Sequence, residues 1–178
     1  MTLLFRIRYR FAAAVATACV GLALASAAVA VDLRDWGRKY NTASERFVVL
    51  ASFNGEAVLD KETQLVWERA AEPAKSWINA LHYCSVRAIG GRLGWRLPSI
   101  SELTSLLAST ATGGVGGYLP AGHPFQNIGA QDYYWSSTDY PSSNTTGYVY
   151  TKALLLGSFL AKSKSSDFSP FLCVRGPA

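Results

Sequence analysis

Three cysteines constrain the fold of this chain more than any other feature. Cys19 lies in an apolar N-terminal stretch, whereas Cys84 and Cys173 lie 89 positions apart in the remainder. The chain that follows this stretch therefore holds an even number of thiols, which can form one bond in a compartment that permits disulfides. A Cys84–Cys173 bond closes a loop of about 90 residues, which in the loop-entropy description stabilises a fold by about 4–5 kcal/mol. The alternative is a pair of buried free thiols, and a separation this long does not suit zinc.

Residues 1–30 have the composition of a secretory signal peptide. Three arginines precede an alanine-rich apolar run that ends in Ala28-Val29-Ala30. A basic start, an apolar centre and small residues before the cleavage point are the parts that such a signal needs. We therefore predict an exported protein, periplasmic, cell-surface or secreted, that begins at Val31. The alternatives are a retained membrane anchor, since about 20 apolar residues span a bilayer, and lipidation of Cys19.

Cleavage also changes the net charge. The leader removes three of the 17 basic residues, which leaves 14 against 12 acidic ones, so the net charge falls from +5 to +2. The remaining sequence has no basic stripe or basic helix face, so we predict no nucleic-acid partner. Membrane contact is predicted only through an uncleaved leader. The 148 residues that follow residue 30 suit a single domain with one core.

Hydrophobic periodicity divides this remainder into a polar lead-in, residues 31–45, and one domain, residues 46–178. Apolar runs bounded by turn residues predict strands at 47–50, 57–60, 65–68, 133–137, 147–156, 157–164 and 171–175. An apolar stripe through Trp77, Leu81 and Cys84 predicts a helix over 76–88. Ser99 and Glu102 form a capping-box pattern that begins a second helix.

Strands at both ends of the domain and helices between them predict an α+β fold. In this fold two helices pack on a small, mostly antiparallel sheet, and the N- and C-terminal strands lie close together.

Several motifs together resemble one family. They are Leu65–Arg69, Trp77 with Ala80 and Cys84, Gly90–Pro98 followed by Glu102, Leu103 and Leu106, Leu119-Pro120, Gly122–Phe125, Tyr134–Thr138 and Cys173–Arg175. From about Arg46 to Gly176 the sequence resembles the Lcl C-terminal domain family. The most specific motif is Gly-Trp-Arg-Leu-Pro followed by the capped helix.

The resemblance implies a C-type-lectin-like fold in a bacterial envelope or secreted protein. The family is named for the tail domain of a collagen-like adhesin, which binds sulfated polysaccharides and forms trimers. This chain has no collagen-like repeat, so trimer formation does not transfer and the oligomeric state stays open.

We interpret eight motif residues as organisers of the fold rather than as ligand contacts. They are Trp67, Trp77, Trp95, Arg96, Pro98, Glu102, Trp135 and Arg175. Arg96 lies between a glycine turn and a helix cap, so we expect it to hold a carboxylate such as Glu68 or Glu102 in a buried network.

The sequence offers little for catalysis. It lacks a Gly-x-Ser-x-Gly elbow, the Gly-Lys-Ser/Thr of a phosphate loop and clustered metal ligands. We predict a protein without enzymatic activity, cofactor or metal.

Lys152, Lys162 and Lys164 are the candidate ligand-binding cations. Lys162 and Lys164 are two residues apart on a predicted strand, and a hairpin would bring Lys152 near them, with Tyr148 or Tyr150 beside the ligand. Such a cluster would bind an anionic or sulfated polysaccharide. The alternative function is a protein-interaction module of a cell-envelope assembly, and lysines that only solubilise the surface would favour it. Converging lysines indicate the polysaccharide, whereas an exposed aromatic patch indicates a protein partner.

Overall fold

The structure, a computed structural model, describes residue 40 and residues 42–108, 118–141 and 147–176. The predicted signal peptide and most of the predicted lead-in lie outside these residues. The described chain forms α1 Ala43–Arg46, β1 Phe47–Val49, a 3₁₀ turn Ala51–Phe53, β2 Ala57–Asp60, β3 Val66–Glu68, β4 Glu72–Lys75, α2 Trp77–Val86, α3 Ile100–Ser105, β5 Tyr133–Asp139, β6 Tyr148–Ala153, β7 Phe159–Ser163, β8 Ser169–Phe171 and β9 Val174–Arg175.

The strands form three sheets instead of the single sheet expected. Their orders are β1-β2-β3-β9, β4-β8 and β5-β6-β7, and every pair of named strands is antiparallel. The α+β class and the antiparallel pairing are therefore confirmed. β1 and β9 belong to one sheet, as predicted, but they form its opposite edges with β2 and β3 between them, so the first and last strands are not neighbours.

Local sequence sets the helix ends. The capping box predicted before α3 is present, because Ser99 accepts from the Glu102 amide and the Glu102 side chain accepts from the Ser99 amide. Thr42 and Glu45 make the same arrangement before α1, at the end of the predicted lead-in. α2 ends at Val86, two residues earlier than expected.

The strand β4 has no counterpart among the predictions. Its second residue is Pro73, which cannot donate a ladder hydrogen bond and normally argues against a strand. Pro73 is tolerated in this strand because β4 pairs with β8 on one side only, and because the register shifts between Glu72 and Lys75.

The core divides into two clusters on opposite sides of shared strands. In β2–β3, Val58 and Trp67 enter one cluster, while Ala57 and Val66 enter the other. Alternate residues of a strand face opposite sides, so strands buried on both faces carry two cores where one was expected.

The predicted disulfide is confirmed. Cys84, on the inner side of α2, bonds to Cys173 just before β9, with 5.5 Å between their Cα atoms. Both cysteines are fully buried in the cluster that contains Trp95 and Trp135. The bond joins α2 to the end of the chain and so closes the second core.

Candidate binding surface

One face of the sheet β5-β6-β7 carries a row of aromatic side chains, which we call the aromatic face: Tyr140, Tyr148, Tyr150 and Phe159. Tyr150 makes edge-to-face contacts with Tyr140 at 4.9 Å and with Phe159 at 5.6 Å between ring centroids. Phe159 is 57 % exposed, and the three tyrosines are partly exposed. Adjacent strands lie about 4.8 Å apart, so the row crosses about 10 Å of the sheet.

The strand register explains this row. Tyr150 lies opposite Ala161, and Phe159, two residues away from Ala161 along β7, lies opposite Lys152 on the same face. Residues 148 and 150 of β6 share a face because side chains alternate along a strand. The sequence singled out Tyr148 and Tyr150, but Tyr140, one residue after β5, and Phe159 on β7 join them only through this register.

The expected gathering of three lysines does not occur, and Lys152 departs most from it. Lys152 is only 6 % exposed, and its Nζ donates to the Gly157 carbonyl at 2.6 Å. Burial lowers the pKa of this ammonium. Val149 lies opposite Lys162, so Lys162 and Lys152 project from opposite faces of the β6–β7 hairpin.

The other two lysines are engaged within the protein. Lys162 Nζ lies 2.7 Å from the Ser169 hydroxyl. Lys164 Nζ pairs with the Asp139 carboxylate at 2.5 Å and lies 4.5 Å from the centroid of the Trp77 ring. These contacts hold both ammonium groups against the fold rather than presenting them to a polyanion.

The predicted organising tryptophans hydrogen bond to the main chain or lie in the core. Trp67 and Trp135 are fully buried, and Trp95 is 3 % exposed. Trp135 Nε1 donates to the Lys75 carbonyl at 2.7 Å, Trp95 Nε1 to Arg92 and Trp77 Nε1 to Ser136. These bonds tie separate elements together.

Arg96 pairs with Glu102 rather than with Glu68. Its Nη1 donates to Glu102 Oε2 at 2.8 Å, and the hydrogen bonds to Glu102 raise the pKa of Arg96. The Arg96 side chain is 50 % exposed, so the expected buried network is wrong in this respect. Burial opposes ionisation of Glu102, but hydrogen bonds from Arg96 and Ser99 outweigh it and lower the pKa of this carboxyl.

The backbone around Arg96 joins the motif to the end of the chain. Arg96 and Val174 exchange two backbone hydrogen bonds of 2.9 Å. The Pro98 carbonyl accepts from the Ser137 amide at 2.7 Å. The Arg175 guanidinium lies over Trp95, 5.9 Å from its ring centroid. The motif segment thus bridges β9 and β5, as a family signature with a structural role would.

Residues 56–175, 120 of the 178, match the family model of the Lcl C-terminal domain. The chain belongs to the Lcl C-terminal domain family. No curated protein and no solved structure matches it. In this Lcl C-terminal domain the match begins one residue before β2 and ends with β9, so it includes most of both cores, the disulfide and the aromatic face, but not α1 or β1.

Glu68 is the most perturbed acid of this Lcl C-terminal domain, and sequence reasoning did not find its role. It is 4 % exposed and accepts from the Cys173 amide at 3.1 Å. Burial raises the pKa of Glu68 to about 8, with the Cys173 amide opposing the shift and the neighbouring Glu72 adding to it. The carboxyl is therefore protonated in the folded protein at neutral pH.

A polar cavity of about 200 Å³ adjoins Glu68. It is lined by Gly55, Glu56, Glu68, Arg69, Ala70, Glu72, Arg87, Ile89 and Gln126. Glu56 accepts from the Gly90 amide at 2.6 Å, and Arg69 donates to the Gly55 and Pro124 carbonyls. These charges organise surrounding loops.

A second concavity of about 370 Å³ runs beside α2 and is lined by Ala74, Lys75, Ser76, Asn79, His82, Tyr83, Val86 and Phe168. Phe168 is 65 % exposed there. Within the described segments no group of three or more histidine, cysteine or acidic side chains is arranged to hold a metal ion. None of the helices in those segments has the length and apolarity needed to cross a membrane.

Proposed function

We propose that this Lcl C-terminal domain is an exported, non-catalytic module that binds another envelope protein through its aromatic face. The supporting observation is the solvent-open row Tyr140–Tyr150–Phe159, held in place by its own edge-to-face contacts. Tyrosine and phenylalanine give large contact areas at a low cost in side-chain entropy, and aromatic residues are enriched at protein interfaces. Rings already ordered by their neighbours lose little freedom on binding.

The lysine geometry supports the protein partner over an anionic polysaccharide. A sulfated chain is held by several converging cations, and its affinity depends on how many it neutralises. Here Lys152 is buried, while Lys162 and Lys164 contact Ser169 and Asp139. The aromatic patch is therefore the better-supported recognition element.

Binding to a solubilised envelope extract tests this function. The domain with Tyr140→Thr and Tyr150→Thr should retain at least about tenfold less partner than wild type, because truncating a central aromatic anchor typically costs 1 kcal/mol or more. Phe168→Thr is the matched control, since Phe168 is exposed elsewhere. The result counts only if the double variant keeps the melting temperature and the far-ultraviolet circular dichroism spectrum of wild type.

The chemistry of the partner is read by pretreating the extract. Protease digestion should abolish retention, whereas periodate oxidation of glycans should not. If the domain still retains its partner after protease digestion but not after periodate oxidation, the partner is a polysaccharide and the protein-binding proposal is wrong. Equal retention by wild type and the double variant would refute the role of the aromatic face.

We base two further parts of the proposal, export and a C-type-lectin-like fold, on membership of the Lcl C-terminal domain family. The buried disulfide suits an oxidising compartment. Intact-mass measurement of the exported protein should give Val31 as its first residue, and a chain that still begins at Met1 or at a lipidated Cys19 would contradict the leader assignment.

A further inference from the structure

The outer edge of the sheet β5-β6-β7 is the strand β7. In the described part of the chain no strand pairs with its outer side. The Ala153 amide donates to the Ser158 carbonyl at 2.9 Å, which places the even-numbered residues of β7 in the hydrogen-bonded positions against β6. The backbone N–H and C=O groups of Phe159 and Ala161 therefore point away from the sheet.

The free part of this edge is short and sharply bounded. The Ser163 amide donates to the Asp167 carboxylate at 2.7 Å, and the Asp167 amide donates back to the Ser163 carbonyl at 3.3 Å. At the other end the Gly157 amide donates to the Ala153 carbonyl within the turn. Two N–H and two C=O groups remain for an incoming strand.

The side chains along this edge are apolar on both faces of the strand. Phe159 is 57 % exposed, Leu160 is 46 % exposed, and Ala161 is exposed. A lysine on an edge strand usually discourages pairing with another strand. The Lys162 ammonium instead contacts the Ser169 hydroxyl, so it does not protect this edge. An exposed, apolar edge without such protection is a template for strand addition.

We infer that this edge pairs with the same edge of a second copy of the protein, antiparallel about a two-fold axis through Leu160. In this register Phe159 lies opposite Ala161 of the second copy, and the relation repeats across the axis. Each of the two pairs exchanges both N–H···O=C bonds, so four hydrogen bonds satisfy every free group on both edges. The large Phe159 ring meets the small Ala161 side chain, and no lysine faces another lysine.

The neighbouring two-fold registers leave groups unpaired. An axis through Ala161 would place Phe159 against Ser163, whose amide and carbonyl already bond to Asp167. An axis through Phe159 would place Ala161 against Gly157, whose amide is bound in the turn. The free edge is thus its own complement in one register, which is the property of an isologous interface.

The inferred pairing goes beyond the proposed function. It joins two three-stranded sheets into one of six strands and brings the two aromatic faces to the same side. A partner with two binding epitopes would then be held bivalently.

Solution mass, measured by light scattering at about 0.1 mM protein, tests the inference, since a micromolar dissociation constant gives a dimer at this concentration. Wild type should have twice the mass of one chain. Ala161→Pro should be monomeric, because it removes two of the four donors and places a ring against the partner strand. Proline is tolerated where an edge amide faces solvent, and Ala161→Ser is the matched control that keeps the amide.

Cysteine cross-linking tests the register in a Cys19→Ser background. Directly opposed residues of a non-hydrogen-bonded antiparallel pair have Cα atoms about 4.5 Å apart, within disulfide reach. Leu160→Cys should therefore form a disulfide-linked dimer under mild oxidation. Leu156→Cys, with 45 % exposure at the turn, is the control that should not.

A monomeric wild type, a dimer that survives Ala161→Pro, or a Leu160→Cys variant that cross-links no faster than Leu156→Cys would each overturn the inference. Extract binding that persists in monomeric wild type would leave the proposed function standing. A dimer that binds nothing from the extract would support the inferred pairing and refute the proposed function.

Discussion

Replacement of Glu68 by glutamine should stabilise the protein at alkaline pH. The carboxyl is buried beside the disulfide and accepts from the Cys173 amide, with its pKa raised to about 8 because burial disfavours the charged form. Glutamine keeps the carbonyl oxygen that accepts this bond, and its amide can donate to Glu72 as the protonated acid does. The substitution therefore removes ionisation while preserving shape.

The magnitude follows from proton linkage. The unfolded chain ionises Glu68 near its ordinary pKa of 4.5, whereas the folded chain does so near 8. Below pH 4.5 both states are protonated and the group costs nothing. Each further pH unit up to 8 costs about 1.4 kcal/mol because only the unfolded state loses the proton, so about 5 kcal/mol of stability is lost in all. About 3 kcal/mol of this is already lost at pH 7.

Urea unfolding between pH 5 and pH 9 measures this effect. The free energy of unfolding of wild type should fall relative to Glu68→Gln as pH rises from 5 to 8, after which the two curves should run parallel. Glu102→Gln is the control, and its difference in stability from wild type should stay nearly constant between pH 5 and pH 9, because both the folded and the unfolded chain ionise Glu102 below that range. The pKa of Glu102 is lowered in the fold, so its contribution is present at neutral pH and lost on acidification. Parallel curves for wild type and Glu68→Gln from pH 5 to pH 8 would refute the buried, protonated carboxyl.

Three further substitutions test the frame of the fold. Cys173→Ser should lower the free energy of unfolding by about 4–5 kcal/mol, seen as a shift of the urea midpoint, because the Cys84 cross-link no longer restricts the unfolded chain; an unchanged midpoint would contradict this. Arg96→Ala should cost only about 1 kcal/mol, since its ion pair is half-exposed, and a loss above about 3 kcal/mol would show a buried role. Arg46→Met should cost about 3–5 kcal/mol in the same assay, because it strands the Asp60 carboxylate, which is fully buried and bonded to Arg46 at 2.7 and 2.8 Å. Restoration by Asp60→Leu in the double variant would confirm that the stranded charge carries the cost.

Local sequence determined the features that depend on a few adjacent residues. The α3 capping box needs only Ser99 and Glu102, three residues apart, and it forms as predicted. The β2–β3 hairpin follows from apolar runs on either side of a turn. The disulfide followed from counting, since two cysteines offered one pairing. The family followed from motif order, most specifically from the segment Gly94–Pro98.

Tertiary structure decided what depends on register and burial. The helix predicted over 76–88 ends at Val86, and packing requires glycine at position 90, because a Cβ there would lie 2.6 Å from Phe53 Cα. Lys152 was expected in solvent because lysines usually are, yet its position on β6 buries it. The composition of the aromatic face likewise could not be predicted from the sequence alone.

Strand alternation puts Tyr148 and Tyr150 on one side, and only the pairing of β6 with β5 and β7 brings Tyr140 and Phe159 beside them. A sequence fixes which residues can share a strand face, because side chains alternate with a period of two. Long-range packing decides which strands become neighbours. It therefore also decides which face of a sheet stays open to solvent.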